Sequence, residues 1–253
     1  MPADPLHLSG HGLTLTEAWR IAHRAVGAVA ISDDARERLR VARALVDRLV
    51  AQGDVVYGVT TGFGSLREVV IPRDQLASLQ RNLIRSHAFG CGDPAPPEVV
   101  RLLLLLRLNT LLQGHSGIRE ETVDLLSELL NRDILPVVPE QGSVGASGDL
   151  APLAHLAMVV QGEGHARVAG ELLGGAQALA AAGLEPRVLQ AKEGLALING
   201  TQFSAAVGTL ALERAWKLAA VADVAAALTI EGLLGSARPF DAVSYTHLRA
   251  HET

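Results

Sequence analysis

At 253 residues, 49% hydrophobic and 3% aromatic, the chain has apolar mass for one large domain or two small ones, and its Leu, Val and Ala suit packed helices better than an all-β sandwich. A net charge of −5 with both signs interspersed and no basic stripe speaks against nucleic acid as a partner. Cys91 is the single cysteine, which excludes an internal disulfide and agrees with a reducing, cytoplasmic setting.

The N-terminal stretch lacks a basic start followed by an apolar core, so no signal peptide is expected. The longest apolar stretches lie near 102–112 and 203–235. Arg107 and Asn109 interrupt the first; Glu213, Arg214, Lys217, Asp223 and Glu231 interrupt the second. Neither is expected to span a membrane, and both read as buried helices.

In chain order, Thr14 and Glu17 have capping-box spacing and open a helix over 14–25. Ser32 is placed to cap a second, amphipathic helix that runs to Gln52 and stops at Gly53. Residues 54–59 are expected to be β-like and to enter a loop, Thr60 to Gly64, too rich in glycine for regular structure. A third helix is expected over 73–88. Pro94, Pro96 and Pro97 break the chain and start a fourth over 97–113. Its five consecutive leucines, Leu102 to Leu106, make it apolar nearly all round and hence central, and Gly114 ends it.

A fifth, amphipathic helix is expected over 117–131. Pro136 and Pro139 forbid helix beyond it, and a small-residue loop, Gln141 to Asp149, precedes a helix over 150–160. A hairpin about Gly170 is expected within 165–173, then a short helix over 174–182. Residues 193–200 read as a loop with a short extended piece. From Thr201 an Ala-rich helix of about thirty residues is expected.

The segment Gly142 to His155 reads Gly-Ser-Val-Gly-Ala-Ser-Gly-Asp-Leu-Ala-Pro-Leu-Ala-His. A flexible turn is its plain reading. A phosphate cradle fails in detail, because no Gly-Lys-Ser/Thr ending follows and the dinucleotide glycine spacing is absent. The third reading is chemical. In Ala146-Ser147-Gly148 the Gly148 nitrogen can attack the Ala146 carbonyl if the backbone is bent tightly, since Gly148 has no side chain in the way. Loss of water closes a five-membered ring. Loss of the Ser147 hydroxyl as a second water leaves an exocyclic methylidene, a strong electrophile.

This stretch resembles the signature of the aromatic amino acid ammonia-lyase and aminomutase family. So do Tyr57-Gly58-Val59-Thr60-Thr61-Gly62-Phe63-Gly64 and Glu193-Gly194-Leu195-Ala196-Leu197-Ile198-Asn199-Gly200-Thr201-Gln202, and the resemblance runs from about residue 11 to about 242. It implies a mainly α fold, with a small α/β N-terminal part leading into a long-helix bundle. Residues 1–110 would form the N-terminal region with the Tyr57 loop, and 111–243 the start of a central helical domain with the triad. It further implies a methylidene-imidazolone (MIO) group formed autocatalytically from Ala146, Ser147 and Gly148, with no metal and no nucleotide. The substrate would be a small molecule, an amino acid, and the full-length protein a cytoplasmic homotetramer.

Each site residue carries a plain reading beside the one the resemblance implies. Tyr57 matches the family's catalytic tyrosine, the base for a weakly acidic β-proton; its plain role is to anchor the loop. Asn199 matches the family's active-site asparagine, which would hydrogen-bond the ring system or the substrate amine; alone it is an Asn before a turn at Gly200. Ser86-His87 resembles the histidine-specific branch, whose imidazole exchanges a hydrogen bond with the substrate's, and Gln202 agrees; alone His87 is satisfied by its own helix. Arg85 is less usual in that branch and keeps a tyrosine or phenylalanine lyase or aminomutase open.

The implied reaction is non-oxidative deamination of L-histidine to trans-urocanate and ammonia. The alternative from another class is a non-catalytic interaction module of the same fold, against which an intact triad and Tyr57 argue. His115 and His155 lack metal-ligand spacing, so no metal is inferred, and Asp149 is expected to hold the triad loop. Family members are longer, and the chain leaves their pattern after Asp241. Residues 244–253 are therefore expected to be a non-native tail packed against nothing, and the fragment to be inactive, with the apolar surface of its last helix exposed.

Overall fold

A capping box opens the first helix. The Thr14 hydroxyl accepts the Glu17 N–H at 3.2 Å while the Glu17 carboxylate takes the Thr14 N–H at 2.8 Å. The resulting α1 (Leu15–Ala22) connects two short strands, β1 (Leu6–Leu8) and β2 (Val29–Ile31), which pair in parallel with Leu6 opposite Val29. The computed structural model describes residues 4–25, 27–64, 67–144 and 148–243. They cluster as two units, one up to Leu210 and one from Ala211.

In the first unit, α2 (Asp33–Gln52) stops at Gly53, whose φ of +75° is the left-handed turn a helix end favours. Ser32 occupies the cap position without a capping bond from its hydroxyl. α3 (Leu76–His87) follows one 3-10 turn, Arg73–Gln75. Pro97 starts α4 (Pro97–Leu111), where its missing N–H costs nothing. Leu102, Leu103, Leu104 and Leu105 are wholly buried, because α4 packs against α1 and against α5 (Glu120–Asn131).

The strands are short, and three of them, β3, β4 and β5, contain a proline that keeps the chain extended. β3 (Cys91–Pro94) pairs antiparallel with β5 (Pro139–Gln141), with Cys91 opposite Gln141. β4 (Leu135–Pro136), β6 (His165–Val168) and β7 (Glu171–Gly174) form an antiparallel sheet in that order. The expected hairpin is present between β6 and β7, with both turn residues, Ala169 and Gly170, at positive φ. α6 (Leu150–Val160) begins directly after the triad loop, and α7 (Gly175–Ala181) follows β7.

Two expected elements are corrected. Residues 54–59 form no strand, being irregular over 54–56 and turn from 57: Thr60 Oγ1 accepts the Val56 N–H at 2.9 Å and donates to the Asp54 carbonyl at 2.5 Å, which curls the chain. Residues 193–198 form a helix, α8 (Glu193–Ile198), and not an extended piece.

α9 (Gln202–Gly232) is a single 31-residue helix. Its buried residues are Gln202, Phe203, Ala206 and Leu210, one stripe on its first three turns. In the second unit all its residues but Glu213 and Ile230 are exposed, Trp216 at 59% and Leu228 at 64% among them. By length and composition alone the stretch Glu193–Gly232 is apolar enough to cross a membrane, with a mean hydropathy of 1.3 over its best window. The chain breaks helix at 199–201 between α8 and α9, and Glu213, Arg214, Lys217 and Asp223 follow one another closely along α9, each costly in hydrocarbon. The tail expected at 244–253 lies outside the described residues.

Candidate active site

The Tyr57 loop is tied to itself by two buried threonines. Beyond the Thr60 bonds, Thr61 Oγ1 accepts the Gly58 N–H at 3.3 Å and Thr61 bridges to Val70. This leaves the Tyr57 side chain 58% exposed, meeting Phe63 edge-on at 6.4 Å between ring centroids. Tyr57 is thus not the buried anchor of its loop. Gly58 turns the loop onto α8: at φ +71°, a Cβ there would stand 3.0 Å from Leu195 Cδ2.

α8 is short, and polar contacts hold both of its ends. At its start Glu193 is fully buried. Its carboxylate accepts from Thr122 Oγ1 at 2.6 Å, Arg119 Nε at 2.9 Å and the Gln190 N–H at 2.7 Å. In the same turn the Gly194 N–H donates to Gln80 Oε1 of α3 at 2.9 Å. At its end Arg107 of α4 donates to the carbonyls of Ala196 and Asn199.

The end of α8 meets the triad. A Cβ on Gly148, which has φ +157°, would stand 3.2 Å from the Gly200 carbonyl oxygen and 3.5 Å from Asn199 Oδ1. The next residue locks the approach: the Asp149 N–H donates to the Gly200 carbonyl at 2.6 Å. The Asp149 carboxylate is buried and accepts from Ser143 Oγ at 2.6 Å, Ser204 Oγ at 2.7 Å and the Ser204 N–H at 2.8 Å. One side chain therefore pins the loop to its own start and to the first turn of α9, through hydroxyls as well as backbone. Ala146 and Ser147 lie outside the described residues.

His87 ends α3. Its Nδ1 lies 2.8 Å from the Leu83 carbonyl, which can only accept, so Nδ1 carries a proton and Nε2 is the acceptor of the neutral ring. The chain after it turns toward the triad loop: the Gly90 N–H donates to His155 Nε2 at 3.0 Å, and a Cβ on Gly142 would lie 3.2 Å from Gly90 Cα. Burial holds the half-buried His155 below the ordinary imidazole range, as its acceptor role requires.

Gly148 and Asn199 therefore sit together, and the Tyr57 loop lies on the same short helix. His87 makes its hydrogen bonds within α3, while the loop that follows it touches the one leading to the triad. His115 is elsewhere, exposed in a groove of about 860 Å³ along α2 with Val41, Leu45 and Gly117. Among the described residues no three His, Cys, Asp or Glu side chains converge as metal ligands. Arg107 and Glu193 were missed as contributors. A signal existed for Arg107, a charge set directly after five leucines, whereas Glu193 resembles any helix-starting acid.

The family model for aromatic amino acid lyases matches residues 13–253, which extends past Asp241, where the sequence reading ends the resemblance. The chain is 58% identical over 244 residues to a histidine ammonia-lyase of Anaeromyxobacter sp. (strain K), covering 94% of this chain and 48% of that one. The solved histidine ammonia-lyase of Trypanosoma cruzi superposes with a TM-score of 0.90 at 41% identity, over 98% of this chain and 48% of the other. A tyrosine aminomutase from Streptomyces globisporus superposes at 0.91 with 36% identity, over 98% and 47%. The chain spans about half the length of the curated relatives it matches.

Proposed function

The chain belongs to the aromatic amino acid lyase family, and from that premise we propose that its reaction is elimination of ammonia from L-histidine to give trans-urocanate. The observation that carries this reading is the seating of Asn199 and Gly200 against Gly148. A Cβ at 148 would crowd the Gly200 carbonyl at 3.2 Å, and the Asp149 N–H is held by that same carbonyl, so the triad's C-terminal end is held against the Asn199–Gly200 turn.

Condensation forms a bond from Gly148 N to the Ala146 carbonyl carbon and releases that oxygen as water; Ser147 then loses its α-proton and hydroxyl as a second water. The product, the methylidene-imidazolone (MIO), would supply an electron-poor alkene that takes up an amino group. Tyr57, on its loop beside α8, would accept the β-proton. The Cβ–H electron pair becomes the new Cα=Cβ bond, and the Cα–N pair leaves with nitrogen. Asn199 would hold the ring or the amine through its amide. His87 Nε2 would accept a hydrogen bond from the substrate imidazole N–H. Arg85, which keeps the tyrosine or phenylalanine reading open, pairs with Glu163 at 2.6 and 2.8 Å, a pairing that does not choose between the substrates.

Intact mass of the soluble 253-residue chain is the first test. A loss of two waters is expected; full mass in folded protein overturns the chemistry and leaves the interaction module. Because the relatives are about twice as long, we infer that the 253-residue chain alone forms no measurable urocanate. Robust urocanate formation by it would contradict that part. Assay of the complete gene product with histidine, tyrosine and phenylalanine in turn decides the substrate, and preference for tyrosine or phenylalanine sinks the histidine assignment.

A further inference from the structure

α4 carries one positive charge into the apolar core. Arg107 is 3% exposed, and Leu103, Leu104, Leu108 and Leu111 around it on the same helix are buried. Its Nη1 donates to the Asn199 carbonyl at 3.1 Å and to Gln202 Oε1 at 2.9 Å, and its Nη2 donates to the Ala196 carbonyl. None of these acceptors is a carboxylate. Burial pushes the guanidinium down to about 10, still protonated at neutral pH.

A buried cation without a counter-ion is costly, so the fold must draw something from it. What faces Arg107 is the C-terminal end of α8, where unpaired carbonyls gather partial negative charge. The planar fork matches two of these carbonyls and the Gln202 amide together, which a lysine could not do. A Cβ on Gly200 would stand 2.1 Å from Gln202 Oε1 and 2.5 Å from Arg107 Nη1, so the bonded Gln202–Arg107 pair fills the space a side chain would take.

We propose that Arg107 is a positioning residue of this site: it clamps the Asn199–Gly200 turn against Gly148, and so sets both the Asn199 amide and the Gly200 carbonyl that holds the Asp149 N–H. The inference rests on the function proposed above. Arg107 contacts neither substrate nor reacting atoms in that scheme; it acts through Asn199 and Gly200.

The test compares Arg107→Lys with Arg101→Lys in the 253-residue chain. Arg101 lies on the same helix and bonds Asp133 and the Ala22 carbonyl, away from the site. Hydrogen exchange at Asp149, Asn199 and Gly200 is expected to be about tenfold faster in R107K, the factor for losing one charge-assisted bond. Ring closure, read as mass loss over time in newly translated chain that has not folded before, is expected to slow by a similar factor. R101K should lower stability without either change. Unchanged exchange in R107K, or equal slowing in R101K, overturns the proposal.

If R107K does not fold, the unsubstituted chain with ¹⁵N-labelled arginine decides the matter. A clamped guanidinium shows hindered Nη rotation and slow N–H exchange, and free rotation overturns the clamp. A chain that never loses water would refute the ring chemistry, while these exchange measurements would still judge the clamp.

Discussion

α8 and α9 are neighbours in sequence and opposites in physics. α8 has 6 residues, below the length at which a helix is stable alone, yet Thr122, Arg119, Gln80 and Arg107 bind it at both ends and its apolar side is buried. α9 has 31 residues rich in alanine and leucine, strong helix formers, and is buried only on its first turns. One helix exists because of what surrounds it, the other because of its own composition. The site is built on the first kind, so its geometry is set by contacts from α3, α4 and α5.

Substitutions that strip partners from α8 should break this contrast most. Glu193→Ala leaves Arg119 and Thr122 facing a cavity and is expected to cost about 3–5 kcal/mol in urea unfolding, with α8 losing exchange protection. A cost below 1 kcal/mol would mean that α8 stands by itself. Thr122→Val removes one donor and should cost about 1–3 kcal/mol.

His155 sharpens the comparison through pH. Burial lowers its pKa in the folded chain, whereas the unfolded chain titrates near ~6.5. The unfolded state therefore binds the proton first. The stability due to the neutral ring is complete above that value and is lost as pH falls through it toward the lower folded value. Unfolding at pH 7.5 and 5.5 should show a larger drop for the unsubstituted chain than for His155→Gln, whose amide oxygen can still accept from Gly90. Equal drops would refute the role given to His155.

The smallest effect belongs to α9. Leu218→Gln and Leu228→Gln touch exposed positions and should move stability by no more than about 0.5 kcal/mol while reducing self-association in sedimentation. A loss of several kcal/mol would show that this surface is covered in solution.

The same division governs what could be read in advance. The capping box at Thr14, the stop at Gly53, the leucines of α4, the Gly170 hairpin and the length of α9 are local signals and were legible. The curl at 54–59 was not: Val55 and Val56 favour strand, and only the Thr60 hydroxyl folds them back. Nor was α8, whose first turn holds Gly194 and whose partners lie some seventy or more residues away in sequence. At the proposed site, the motifs name Gly148, Asn199 and Tyr57, and the structure brings Gly148 and Asn199 together. The clamp at Arg107 was visible only as an oddly placed charge, because its acceptors are backbone carbonyls that no motif displays.

The triad segment is strung between two fixed posts. β5 pairs with β3 on one side, α6 begins at Leu150 on the other, and Asp149 laces Ser143 to Ser204 across the gap. The ring closure proposed above would need a bend that the scaffold on either side imposes and that an unfolded chain does not hold. Any bond formed because of that curvature is made once and outlasts later denaturation. Each molecule would then carry in its mass an archive of having once been folded, legible even from an aggregate.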